Sequence, residues 1–305
     1  MKVMKFITAL WLMLLPFLMG ACDLFPEDCG ARGYLKATIS EHGAAPSTTE
    51  VIQVRYYDNY SGEEHTEKMG EPDYFAADNQ FLSKIQIGDY RFLAYSKFNN
   101  KVRNEVDIST IEIYADTVMS AKYSLPVIAN TQRLVYVASD NGMILPEDTT
   151  YRVFTLTPMV QKIVINIILK GLSVEHKITS LEAMLSGVIT GRKIYTNQPL
   201  PEYSGLIYNF RPTEEDNKFT SEAYVFGVSN AVPNTLKIEC LGETFKQYSS
   251  VDLSTVLKDF TADGMVIDLI VEIGENMDMN GAYIDKWQDM QQSDIIFGDN
   301  SNNNK

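Results

Sequence analysis

YRVFTLTPMVQKIVINIIL, residues 151–169, decides the fold. Tyr151 to Leu156 alternates apolar and polar residues, the period of a strand with one buried face. Lys162 to Leu169 (KIVINIIL) is then almost continuous in Ile and Val. Such a run suits a strand buried on both sides, inside a sandwich or at a domain interface. The whole stretch predicts sheet, and the same reading extends in both directions.

Toward the N-terminus, short strands are expected at Tyr34–Ile39, Val51–Tyr57, Phe81–Ile87, Tyr90–Tyr95 and Ile111–Tyr114. Gly88-Asp89 reads as a hairpin turn, and Ser139-Asp140-Asn141-Gly142 as a second turn between Leu134–Ala138 and Met143–Leu145. Toward the C-terminus, strands are expected at Ile178–Leu185, Leu206–Asn209, Ala223–Val228, Leu236–Leu241 and Met265–Ile273. SVDLSTVLKDF, residues 250–260, is the best helix candidate, with Val251, Val256, Leu257 and Phe260 on a partial apolar face. About a dozen short strands exceed what one sandwich needs, so the chain divides near Thr155 into two β-sandwich domains. The expected organisation is a leader over 1–21, a tether over 22–31, sandwiches over 32–155 and 156–290, and an aperiodic tail over 291–305.

Composition bounds the chemistry. The 305 residues carry 40 acidic and 26 basic side chains, a formal charge of −14, which argues against nucleic acid as a partner. The 17 Tyr and 14 Phe favour strands. The leader MKVMKFITALWLMLLPFLMGAC has Lys2 and Lys5 ahead of an apolar run from Phe6 to Met19. That run is short of the roughly 20 residues a membrane helix needs, and it ends in Gly20-Ala21, as a secretory signal peptide does. Cys22 directly after Gly20-Ala21 has the place of a lipobox cysteine, acylated on its thiol before cleavage in front of it. Cys29 and Cys240 are the other two cysteines. Cys240 shares a face with Leu236 and Ile238 and is expected as a buried free thiol, with a Cys29–Cys240 disulfide as the alternative.

Catalytic patterns are missing. His42, His65 and His176 stand far apart in polar contexts, and no HExxH, CxxC, GxSxG or phosphate-binding glycine loop occurs. Glu63-Glu64 and Glu214-Glu215-Asp216 read as solvated loop acids rather than a catalytic pair. Asp278-Met279-Asn280-Gly281 with Asp285 lacks the remaining oxygen ligands of a calcium loop. No enzyme, cofactor or metal site is expected. Trp11 leaves with the leader, so Trp287 alone remains as a tryptophan platform for a sugar ring.

The order of several segments carries a family resemblance: the lipobox Cys22, the strand GDYRFLAYS at Gly88–Ser96, FTLTPMVQKIVINIILKGL at Phe154–Leu172, ITSLEAMLSGVITGRKI at Ile178–Ile194, and IDKW at Ile284–Trp287. Together, over roughly Gly30 to Met290, these resemble the fimbrillin-like lipoproteins of Bacteroidales type V pili, including their anchor subunits. The resemblance implies two transthyretin-like β-sandwich domains, anchoring in the outer membrane through an acylated (palmitate-type) Cys22, and cell adhesion. It also implies other fimbrial subunits as partners, joined by strand exchange, and a host or bacterial surface receptor as a candidate contact. In polymerising members a protease cutting after Arg or Lys removes the first strand; in anchors that strand stays.

Cleavage after Arg32 would remove the tether but no strand, whereas Lys36 and Arg55 lie inside expected strands. The favoured reading is therefore an uncleaved anchor or accessory subunit at the cell surface. A surface glycan-binding lipoprotein and a polymerising fimbrillin precursor are the alternatives. Thr117 in Asp116-Thr117-Val118 and Thr149 in Asp148-Thr149-Thr150 match the Asp-Thr pattern O-glycosylated in exported Bacteroides proteins.

Overall fold

The computed structural model describes residues 31–41, 52–59, 80–96, 101–129, 136–171, 177–258, 260, 263–274 and 279–290. Cys22, Cys29, the three histidines, Glu63-Glu64, Asp278 and the tail over 291–305 lie outside the described residues. What is described is almost entirely strand, an all-β sandwich fold.

The first half contributes β1 (Arg32–Glu41), β2 (Ile52–Asp58), β3 (Gln80–Gln86) and β4 (Gly88–Ser96). Four short strands follow: β5 (Lys101–Arg103), β6 (Glu112–Tyr114), β7 (Thr117–Ser120) and β8 (Leu125–Ile128). After them come β9 (Tyr136–Ile144) and β10 (Thr149–Pro158). The first sheet has the order β2-β4-β9-β10-β1-β3. Its inner face buries Leu35, Ala37, Ile39, Tyr56, Tyr90, Phe92 and Phe154. Tyr56 meets Tyr90 edge-on at 5.4 Å, and Phe92 meets Phe154 at 6.3 Å, within the range aromatic pairs prefer.

The second half begins with β11 (Gln161–Lys170), β12 (Ile178–Ile189), β13 (Gly191–Lys193) and β14 (Tyr203–Asn209). It continues through β15 (Arg211–Pro212), β16 (Lys218–Val225), β17 (Thr235–Gly242) and β18 (Lys246–Asp252), and ends with β19 (Gly264–Ile273) and β20 (Met279–Met290). One sheet runs β15-β16-β11-β19-β20, and the facing one runs β18-β17-β12-β14-β8-β7. A third, small sheet is β13-β6-β5.

Those last two sheets splice the halves together. β6 pairs with β13 (Ile113 opposite Arg192), and β8 meets β14 in parallel at Val127 and Gly205. Residues 101–128, from the first half of the sequence, thus complete sheets of the second half. Their hydrophobic residues Ile108, Ile111 and Ile113 are buried in the same continuous core as Leu93 and Tyr95 of β4. Gly191 permits the crossing: a Cβ there would sit 2.4 Å from the Ile113 carbonyl oxygen.

Four expectations are corrected. Gly88-Asp89 makes no hairpin. β3 pairs with β1, while β4 pairs with β2 and β9, so the chain changes neighbours at Ile87 as strands do at a sandwich corner. Ser139–Gly142 is no turn either, because β9 runs through it, registered against β4 from Gly88 opposite Ile144 to Tyr95 opposite Val137. Ladder pairing overrides the local turn preference of Asp-Asn-Gly. The helix over 250–260 shrinks to one turn, Ser254–Leu257. Val251 is held in β18 opposite Leu236, and the Asp252 carboxylate accepts the Ser254 amide at 2.9 Å, ending the strand. Finally, β11 is not buried on both sides. Ile163, Ile165, Ile167 and Leu169 are buried, whereas Val164, Asn166 and Ile168 on the other face are half-buried.

Candidate functional site

Strand β1 is built into the first sheet rather than laid on its edge. It pairs in parallel with β10, from Tyr34 opposite Thr149 to Glu41 opposite Leu156, and antiparallel with β3, from Arg32 opposite Gln86 to Thr38 opposite Gln80. Leu35 and Ala37 are wholly buried and Ile39 nearly so. The strand's start is clamped by Tyr34 N donating to Asp148 O (2.8 Å) and Glu147 N donating to Arg32 O (2.9 Å). Gly33 is required there, since a Cβ would lie 2.1 Å from the Leu145 carbonyl oxygen. The strand's other face holds an exposed apolar strip: Tyr34, Leu82 of β3, and Tyr151 and Val153 of β10. The Lys36 ammonium lies 6.0 Å from the Tyr151 ring centroid.

At the opposite end of the chain, β20 is the edge strand of its sheet, paired only with β19 among the described residues. Register places Trp287 opposite Ile267, on the core side of the sheet, yet Trp287 is 57% exposed. A tryptophan on the inner side of an edge strand and still open to solvent marks an uncovered lip of the sandwich. Lys286 pairs with Asp268 at 3.2 Å across the outer face, a charge that discourages indiscriminate edge pairing.

Between the halves sits a polar clasp. Glu182 of β12 and Glu239 of β17 are directly opposite each other. Like charges so placed repel. Lys122, in the β7–β8 turn, answers both: its Nζ is 2.6 Å from Glu182 Oε1 and also contacts Glu239 Oε2. Lys246 adds a bond to Glu239 Oε1 at 2.9 Å, and Tyr123 OH donates to Glu182 at 2.7 Å. Burial works against a charged Glu239, but hydrogen bonds from Lys122 and Lys246 outweigh it and hold the carboxyl below its usual range. Burial likewise opposes the Lys122 charge, and the two carboxylates overcome it, so its pKa is raised. Tyr123 is pushed up to about 12 by burial and by Glu182.

No known protein-family profile and no curated protein matches the sequence. Solved structures do. A candidate adhesin from Bacteroides ovatus superimposes with a TM-score of 0.57 at 14% identity, covering 84% of this chain and 94% of that one. The fimbrial anchor protein Mfa2 from Porphyromonas gingivalis gives 0.53 at 10% identity, over 83% and 96%. A Bacteroides thetaiotaomicron protein described as a candidate polysaccharide-binding protein gives 0.51 at 9% identity, over 86% and 99%. This chain has their fold.

Within that fold the residues singled out from sequence fall apart rather than together. Cys22 lies outside the described residues. Thr117 opens β7 with an exposed side chain, and its neighbour Asp116 pairs with Lys101 at 2.7 Å. Thr149 opens β10 half-buried, its amide donating to Asp148 Oδ1 at 2.7 Å. Arg55 is spent on structure, ion-paired to Glu105 and donating to Tyr95 OH at 2.8 Å. Cys240 is a buried free thiol whose pKa burial pushes up to about 11. Glu215 pairs with Lys218 at 2.8 Å, while Glu214 and Asp216 are exposed. No group of three His, Cys, Asp or Glu that could hold a metal occurs among the described residues. No helix among them is long and apolar enough to cross a membrane. Sequence reading missed the Lys122 clasp, because Lys122, Glu182 and Glu239 are remote in sequence and meet only through the splice.

Proposed function

We propose that this chain is a non-enzymatic, lipid-anchored subunit of a fimbria-type assembly, an anchor or accessory component that keeps its N-terminal strand. It stands at the outer membrane on acylated Cys22, as two sandwich units divided in sequence near Thr155, with residues 101–128 of the first half contributing strands to the second. It joins other subunits by β-strand complementation and contributes to adhesion. The observation that carries this reading is the interior position of β1, paired with β10 on one side and β3 on the other. Arg32, the site where cleavage would spare the strand, is its first residue, and Lys36 lies within a ladder paired on both sides. The likeness in fold to adhesin-type proteins and to a fimbrial anchor supports the same role. On this reading the edge of β20, unpaired among the described residues and with Trp287 at its lip, accepts a strand from a neighbouring subunit.

The test is the intact mass of the native protein extracted from outer membranes, beside a Cys22→Ala control. A species running from Cys22 to Lys305 with acyl chains, absent in the control, is expected. A lipid-free species beginning just after Arg32, Lys36 or Arg55 would mean a processed, polymerising subunit and would overturn the proposal.

A further inference from the structure

The β7–β8 turn and the β17–β18 ladder enclose an open recess of about 540 Å³, lined by Lys122, Tyr123, Lys237, Glu239, Tyr248 and Ser250, among others. The volume lies in the range of small-ligand sites. We propose that this recess binds a carboxylated sugar residue, a uronic or sialic acid.

The charge pattern selects an anion. Lys122 and Lys246 are held by Glu182 and Glu239. Lys237 is exposed, and no carboxylate lies within ion-pair reach of it among the described residues. The recess therefore carries one unmatched positive charge in a protein of formal charge −14. On the same face of the ladder Asp252, opposite Thr235, is taken up by hydrogen bonds from the Ser254 amide and hydroxyl. A single unmatched ammonium fits a single carboxylate. A phosphate or sulfate cluster would call for several such groups.

The remaining lining selects a sugar. Tyr248 is 61% exposed and stands on the same face as Lys237, because Glu239 faces Tyr248 and Lys237 faces Ser250 across the ladder. The Lys246 ammonium, 5.3 Å from the Tyr248 ring centroid, steadies the ring from one side. An aromatic face beside a cation and a serine hydroxyl offers what a pyranose acid needs: stacking for its C–H face, a counter-charge for its carboxylate and a partner for a ring hydroxyl. Tyr123 is pinned by its bond to Glu182, so the wall of the recess is formed before any ligand arrives.

This proposal does not depend on the mode of subunit assembly. The experiment is isothermal titration of the full mature chain with three probes: tri-galacturonate, sialyllactose and neutral maltotriose. Expected is millimolar-range binding of at least one acidic probe and none of maltotriose. Lys237→Met and Tyr248→Ala should each weaken that binding about tenfold or more. Tyr151→Ala, on the far sheet, should leave it unchanged, and unaltered melting of all variants shows that they remain folded. The two acidic arms separate a uronate from a sialate ligand. Equal binding of maltotriose, no binding of either acid, or indifference to Lys237→Met would each overturn the proposal.

Discussion

Retention of β1 can be tested by the cost of opening it. Leu35 is fully buried between β10 and β3, so Leu35→Ala removes apolar contacts and leaves a cavity. Substitutions of this kind cost about 2–5 kcal/mol, and an interior strand flanked by paired neighbours leaves little room for collapse, so about 3 kcal/mol is expected. Thr38→Ala, three residues on and facing outward, should cost less than about 0.5 kcal/mol. The assay is limited trypsinolysis followed by mass spectrometry, reading the product that begins at Ala37. Cleavage after Lys36 requires β1 to leave both ladders, and where reclosing is fast the rate follows the open population. A 3 kcal/mol loss, at RT of 0.59 kcal/mol, raises that population on the order of 100-fold, against less than about threefold for Thr38→Ala. The reasoning fails if the two variants are cut at the same rate. It fails equally if the unmodified protein is cut after Lys36 as fast as an unfolded peptide, since β1 would then be displaceable and not part of the sheet.

Three further outcomes follow from the splice and the core. Lys122→Met leaves Glu182 and Glu239 facing each other with Lys246 as the counter-charge on Glu239 and only the Tyr123 hydroxyl on Glu182. Losing one partner of a buried pair can cost 3–5 kcal/mol, but Lys122 is 40% exposed and Lys246 remains, so about 1–2 kcal/mol at pH 7 is expected by urea unfolding. Because the folded Glu239 pKa is depressed, its stabilising contribution is present above the unfolded value near 4.3 and is lost as pH falls through the folded value. The gap between variant and parent should accordingly narrow below about pH 4; a gap independent of pH would point to packing instead. Gly191→Val drives a side chain into the Ile113 carbonyl and should cost about 1–3 kcal/mol while speeding amide exchange in β6 and β13 together. Cys240, buried and with its thiol pushed up to about 11, should resist a disulfide reagent at pH 8 in the native protein and react once unfolded.

The strands read correctly from sequence are those whose own residues settle the matter. In β1, β11, β12, β17 and β19 a buried apolar residue recurs at every second position over much of the strand, and solvent exclusion alone fixes the face. The errors arise where remote partners decide. Asp140-Asn141-Gly142 has the local chemistry of a turn, but β4 supplies a ladder over the whole of β9, and Asp140 is further tied to Arg152 at 3.4 Å. SVDLSTVLKDF carries helical spacing, but Ser250, Val251 and Asp252 find partners on β17. β20 went unread because its two bulges, at Asp285 (opposite Asp268/Leu269 of β19) and Asn280 (opposite Glu272/Ile273), break the alternation that would have announced it.

The same physics explains why the candidate site was the least legible part of the molecule. β5, β6, β7 and β8 span three or four residues each, too few to show a period; β6 and β8 pair with the remote strands β13 and β14, and β5 and β7 add on to them. Val127 meets β14 only where Gly205 lets it approach: a Cβ there would fall 2.8 Å from Met184 Sδ and 2.9 Å from Leu125 Cδ1. Lys122 reaches Glu182 and Glu239 only once that approach is made. The recess, the clasp and the join between the halves therefore rest on the same contact, the β7–β8 hairpin against β12, β14 and β17. A residue pattern cannot announce such a contact, because its information lies in the complementarity of two surfaces and not in either segment.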